Sequence, residues 1–128
     1  MQSGAAILAD DARGEYVNEK VYNDLKIDEF KALPDESFHR SVDLAVINAD
    51  VEGYARTYTI LPPTIYGLAT HAIAEAGISN PHSLQIPYLI RAALARKRAG
   101  VVGKGLARWR SVHIDESTSC NAHCLPRF

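Results

Sequence analysis

His39 and Asp43 stand four residues apart, a spacing that puts both side chains on one face of a helix. An imidazole beside a carboxylate can serve as an acid/base pair, because the carboxylate favours the protonated ring and raises its pKa. The same two residues also read as a solvated histidine and aspartate on a helix surface. Near the other end, Cys120, His123 and Cys124 are three soft ligands within five residues. They lack a distant fourth ligand, so no metal site is expected. Gly100, Gly103 and Gly105 make a glycine-rich run, but it follows a helical pattern, whereas a dinucleotide-binding loop follows a strand. A helix cap plus a turn accounts for it more simply. His113 lies between Val112 and Ile114, where a plain strand residue is an equally good reading.

The elements that must position these residues alternate. Ala5 to Leu8 is a short apolar run with the look of a strand end. Asp10 to Pro34 is polar and charged, a long surface excursion with one helical turn near Ile27 to Leu33. Asp35 or Ser37 can cap a helix beginning shortly after Pro34. On it Phe38, Val42, Ala45, Val46 and Ala49 share a face that Leu44, Ile47 and Val51 widen, and Gly53 ends it. A helix this broadly apolar must bury two sides. Thr57 to Leu61 is rich in β-branched and aromatic residues and predicts a strand, stopped by Pro62 and Pro63. Thr70 to Ala76 forms a short helix ended by Gly77, and Ser79-Asn80-Pro81 makes a turn. A second long helix starts near Pro87, after a lead-in from Ser83, and runs to about Ala99 with Gly100 as its cap. Val101-Val102 and Val112 to Ile114 resume strand character. Such alternation predicts a parallel α/β sheet.

Composition narrows the classes of function. With 128 residues, 47% hydrophobic and 23% charged, the chain fits one domain that buries roughly two thirds of its unfolded surface. A formal net charge of -1 gives no electrostatic reason to expect nucleic acid or an anionic membrane as partner. No apolar run approaches the roughly 20 residues that span a bilayer. The N-terminus has no basic start ahead of a long apolar segment, and two cysteines do not make a disulfide scaffold, so a cytoplasmic location is expected.

Leu61-Pro62-Pro63-Thr64-Ile65-Tyr66-Gly67, directly after a predicted strand, resembles the segment following the sixth strand of extended short-chain dehydrogenases and epimerases. Val112-His113-Ile114-Asp115-Glu116 is similar to that family's Val-His-Val-Asp-Asp segment near the substrate lobe, with Gly103, Gly105 and Trp109 in suitable places ahead of it. Ser3-Gly4 before Ala-Ile-Leu resembles the serine-bearing end of the fifth strand. The resemblance implies an α/β fold, a partial Rossmann-like parallel sheet with flanking helices. It implies NAD or NADP as cofactor, with Pro62, Pro63, Thr64 and Ile65 meeting the nicotinamide end. It also implies that the Phe38 to Val51 helix packs against its counterpart in a homodimer, or docks a further domain.

The chain departs from that family in ways that matter. Its chemistry rests on a Tyr-x-x-x-Lys pair, tyrosine as acid/base and lysine lowering the tyrosine pKa. His39 and Asp43 occupy those expected positions here, and a carboxylate cannot replace the cation, so the catalytic residues are unknown. Tyr16 with Lys20 and Tyr22 with Lys26 match the spacing but lie in the polar excursion. No Gly-x-x-Gly-x-x-Gly fingerprint occurs within the sequence, so the N-terminal dinucleotide-binding half is expected to be lacking and cofactor binding to be weak or absent. Residues 1–116 are expected to form the C-terminal part of an NAD(P)-binding domain with substrate-lobe elements, and 117–128 a divergent, disordered tail. The implied function is a portion of an NAD(P)-dependent oxidoreductase or epimerase, a truncated product without activity of its own. The alternative is a non-catalytic NAD(P)-binding or protein-interaction module.

Overall fold

Tandem prolines leave Pro62 and Pro63 without backbone donors, so the chain there can only accept hydrogen bonds. A computed structural model, which describes residues 1–124, shows how the backbone accommodates this. Ahead of the prolines, residues 58–62 run parallel to residues 1–5. The N-terminal ammonium donates to the Tyr58 carbonyl, Ile60 N–H donates to Met1 O at 3.0 Å and Ser3 N–H donates to Ile60 O at 2.9 Å. Ala5 N–H then donates to Pro62 O at 3.0 Å. After the prolines the partner changes. Thr64 N–H donates to Arg110 O at 3.3 Å, and β1 (Thr64–Tyr66) pairs in parallel with β2 (Ser111–His113). Ile65 stands opposite Val112, and Tyr66 opposite His113.

The predicted strand at Thr57 to Leu61 is therefore corrected. It holds one isolated bridge, Gln2 to Ile60, and the regular strand begins only beyond the prolines. Ala5–Leu8 is likewise a 3-10 turn in place of a strand end, and Val101-Val102 is an exposed turn region in place of a strand. The architecture is mixed α/β, a two-stranded parallel sheet with flanking helices.

Helix α1 (Ile27–Lys31) is the single turn expected within the polar excursion. Helix α2 (Arg40–Val51) begins later than its cap residues suggested. Neither Asp35 nor Ser37 caps it by side chain; His39 is the N-cap, in the left-handed conformation at φ 69°. Its ring leans edge-on against Phe38, centroids 4.2 Å apart. The helix ends in a Schellman motif, with Gly53 N–H donating to Asp50 O and Tyr54 N–H to Ala49 O. Helix α3 (Ala72–Glu75) is capped by the His71 side chain, whose Nδ1 accepts from Ala74 N–H at 3.3 Å.

Helix α4 (Gln85–Ala95) stops four residues short of Ala99, so Gly100 is not its cap. Lys97 at φ 54° takes the left-handed position instead, its N–H donating to Leu94 O while Arg98 N–H donates to Ala93 O. Gly103 and Gly105 serve a different close approach. The turn at 101–106 lies against the turn at 12–15, where Leu106 N–H donates to Gly14 O at 2.9 Å and Lys104 pairs with Glu15 at 3.0 Å. A Cβ on Gly14 would overlap the Val102 carbonyl, so bulk is excluded there. Helix α5 (Ile114–Cys124) follows β2 directly. Residues 117–124, expected as disordered tail, are thus helical, with Ser117 buried; 125–128 lie outside the described residues.

Packing is sparse. Ile7, Ala12 and Ala74 are the buried apolar residues, and among the described residues no large side chain is fully buried. The accessible surface is 10312 Å². A compact monomer of 14.0 kDa exposes about 6,700 Å². The excess is about half again, and the chain buries roughly half of its extended-chain surface, less than the two thirds its composition suggested. Much of what is left open is apolar: on α4, which has no buried residue, Tyr88, Leu89 and Leu94 are all more than 60% exposed. No helix among the described residues is long and apolar enough to cross a membrane.

Because an L-residue is held in the left-handed conformation at the end of α4, Lys97→Gly is expected to stabilise the fold by about 0.5–1 kcal/mol. Urea denaturation followed by circular dichroism reads this out, and an unchanged or lower midpoint contradicts it.

Candidate functional site

Parallel strands direct their carboxyl ends to one side, and the loops leaving those ends build whatever cleft the sheet offers. Tyr66 and His113 are the last residues of β1 and β2, and the residues that follow, Gly67 and Ile114, both line a cleft of about 340 Å³. Pro63 and Ile65 contribute the β1 wall, and Asn80 and His82 the opposite one. The opposite wall is fixed by an antiparallel bridge between Leu68 and His82 and by Ala69 N–H donating to Pro81 O at 3.0 Å. Asn80 closes the turn, its Oδ1 accepting from His82 N–H at 3.0 Å. The volume falls within the range of small-molecule sites, and the lining is largely apolar with a few polar groups.

His113 flanks this cleft in a defined orientation. Its ring packs edge-on against Tyr66 at 5.2 Å, and its Nδ1 accepts from Asp115 N–H at 3.3 Å. The Asp115 carboxylate is also 3.5 Å from Nδ1, a contact suited to the protonated ring. The amide contact is the shorter of the two. Nε2 faces Gly67, and a Cβ there would stand 2.5 Å from it. Gly67 also sits at φ 100°, so both backbone and space require glycine where the chain leaves β1. This arrangement can seat an apolar ring and offer it hydrogen-bonding groups from one wall.

Of the four residues expected to meet a cofactor, Pro63 and Ile65 line the cleft. Pro62 and Thr64 are engaged through their backbone in pairing with Ala5 and Arg110. The prolines lie at the carboxyl end of the 58–62 pairing and at the amino end of β1. His39 is elsewhere, exposed, with Nε2 about 3.3 Å from where a Cβ on Gly4 would stand. The chain thus brings His39 beside the Ser3-Gly4 segment and keeps both out of the cleft lining.

Asp43 does not complete a pair with His39. His39 precedes the helix in a left-handed turn, so helical spacing does not align the two side chains. Asp43 is 3% exposed and its Oδ1 has no hydrogen-bond partner, so the solvated-surface alternative is corrected for this residue. Its buried neighbour Arg40 is turned toward Asp35 at 3.9 Å, beyond hydrogen-bonding distance, and toward the Lys31 carbonyl.

Neither Tyr-x-x-x-Lys match has catalytic geometry. Residues 16–26 are not helical, so a spacing of four does not place the side chains together. Desolvation, and then the charge of Asp10, push the Tyr16 phenol up from its ordinary pKa, opposite to what an acid/base tyrosine needs. Lys20 stacks over Tyr22 at 4.3 Å, while Lys26 pairs with Glu29 at 3.6 Å. At the C-terminal end Cys120 and Cys124 are free and exposed, and His123 Nδ1 lies 2.7 Å from Ser119 O. Among the described residues no group of three ligands is gathered for a metal.

Sequence reasoning missed His82 and Asn80. The Ser79-Asn80-Pro81 turn was visible, but the signal that folds it against Leu68 is a long-range bridge with no local pattern. No protein-family model matches the chain, and neither the curated proteins nor the solved structures contain a match.

A buried carboxylate without a partner lowers stability, since desolvating it is not offset by a hydrogen bond. Asp43→Asn is expected to stabilise the chain by about 1 kcal/mol at neutral pH, measured by chemical denaturation. A loss of similar size would reveal a compensating cation.

Proposed function

We propose that this chain forms the nicotinamide- and substrate-facing part of an NAD(P)-dependent oxidoreductase or epimerase of the extended short-chain dehydrogenase kind, without turnover of its own. One observation carries the proposal: a cleft lies where two parallel strands end, and Pro63 and Ile65 are among its lining, although the double proline precedes β1 where the family's segment follows a strand. Ligands of open α/β sheets bind outside the carboxyl ends of strands for a physical reason, since backbone groups there are free of the ladder.

Turnover is a different matter. A tyrosine general acid needs a cation to lower its pKa, and the matching positions hold an exposed imidazole and an unpaired buried carboxylate. No glycine-rich loop follows a strand within these residues, so the cofactor pyrophosphate lacks a helix N-terminus to bind. The nicotinamide end alone gives little affinity. A binding role under these conditions falls to a larger assembly that supplies the remaining contacts.

The exposed surface favours a second component of the proposal, protein docking. On α2, Val42 is 58% and Val51 79% exposed, with Phe38 at 68% just ahead of the helix. Stable homodimers bury on the order of 1,000 Å² or more per protomer, and the total surface exposed here beyond that of a compact monomer is larger than that. We assign this face to self-association or to docking of a further α/β domain. Free, exposed Cys120 and Cys124 suit the reducing setting of the cytoplasm, which is part of the same proposal.

Titration of the full chain with NADH and NADPH by calorimetry is expected to show a Kd weaker than about 1 mM or no binding at all. Submicromolar binding would contradict the proposal, because it requires a phosphate site these residues do not offer. Light scattering of the full chain is expected to show self-association that Val42→Asp weakens at least about tenfold, as a charge placed in an apolar contact costs a few kcal/mol. A monodisperse monomer unaffected by the substitution removes the homodimer arm.

A further inference from the structure

Asn80 and His82 border a second space besides this cleft. These residues and Ser83 also form one wall of an adjoining hollow of about 300 Å³, whose far side is Tyr88 and Arg91 of α4. The two spaces differ in character. The first is walled by Pro63, Ile65 and Ile114; the second holds the Arg91 guanidinium, 5.8 Å from the Tyr88 ring centroid. Among the described residues no carboxylate lies within 4.0 Å of Arg91. Its planar fork therefore has donors free for a carboxylate or phosphate.

We infer that the two spaces together take a small organic anion, an aromatic or aliphatic body in the cleft with its carboxylate or phosphate group at Arg91. The inference rests on reading the cleft as a ligand site and deepens it by naming a substrate class. Tyr88 contributes a ring face beside the guanidinium. His82, Ser83 and Asn80 sit on the shared wall, where they supply hydrogen bonds to polar atoms in the middle of the ligand.

The test uses the full chain and ligand-observed NMR with four probes: phenyl phosphate, benzoate, inorganic phosphate and neutral benzyl alcohol. Phenyl phosphate or benzoate is expected to bind about five- to tenfold more tightly than benzyl alcohol, as charge-assisted hydrogen bonds allow at a partly exposed site. Which of the two binds better identifies the anion. Arg91→Gln is expected to remove that preference while leaving benzyl alcohol binding unchanged, and Arg91→Lys to keep part of it. Equal binding of neutral and anionic probes, or a preference that survives Arg91→Gln, overturns the inference. Inorganic phosphate binding as tightly as phenyl phosphate also overturns it, because the apolar cleft then contributes nothing. Failure here leaves the cofactor proposal standing, since that proposal is judged by the NADH and NADPH titration.

Discussion

Parallel backbone pairing on the two sides of Pro62-Pro63 is the constraint on which the other features of the structure depend. A chain entering a proline pair loses two donors, and it can stay extended only if its neighbours ask for acceptors there. The Pro62 carbonyl meets the Ala5 N–H, and the ladder then passes to Arg110 and β2. This exchange ties the N-terminal residues, the centre and the C-terminal helix into one arrangement. It also sets the direction in which Gly67 and Ile114 leave the strands, and therefore where the cleft opens. Long-range pairing of this kind closes large loops, so it is entropically costly for so few hydrogen bonds.

That cost is not offset by a large apolar core among the described residues. The buried apolar residues are small or few, while whole faces of α2 and α4 stay open. Burial at roughly 25 cal/mol per Å² is the main term that stabilises a fold, and here much of it is left unrealised. Docking of a partner on these helices, as proposed above, would complete that burial. The buried Asp43 adds to the deficit, since nothing among the described residues satisfies its Oδ1.

Helix existence was legible in the sequence because periodicity reports burial and exposure over many residues. Both long helices followed from it, while the short turns at Ile27 and Ala72 were read from scattered apolar anchors and from the Gly77 stop. Their ends were less legible. Helix α2 starts in a left-handed residue, His39, and α4 ends in another, Lys97, and neither residue type announces that conformation. β propensity at Thr57 to Leu61 was real, yet the regular pairing fell on Thr64–Tyr66, because a strand needs a partner in register and the partner lies about 47 residues away. The helix at 117–124 escaped notice since its serines and cysteines carry no apolar stripe. Within the site, Pro63 and Ile65 were legible from a local motif, whereas His82 and Arg91 depend on where a turn and a helix land. The pairing of His39 with Asp43 failed because four residues align side chains only inside a helix.

Nuclear Overhauser effects between β1 and β2 in the isotopically labelled chain test the central claim most directly. The account predicts cross-strand contacts in the parallel register, Thr64 with Ser111, Ile65 with Val112 and Tyr66 with His113. Contacts in an antiparallel register, or none between these segments, would contradict it, because Gly67 and Ile114 would then no longer open onto one cleft.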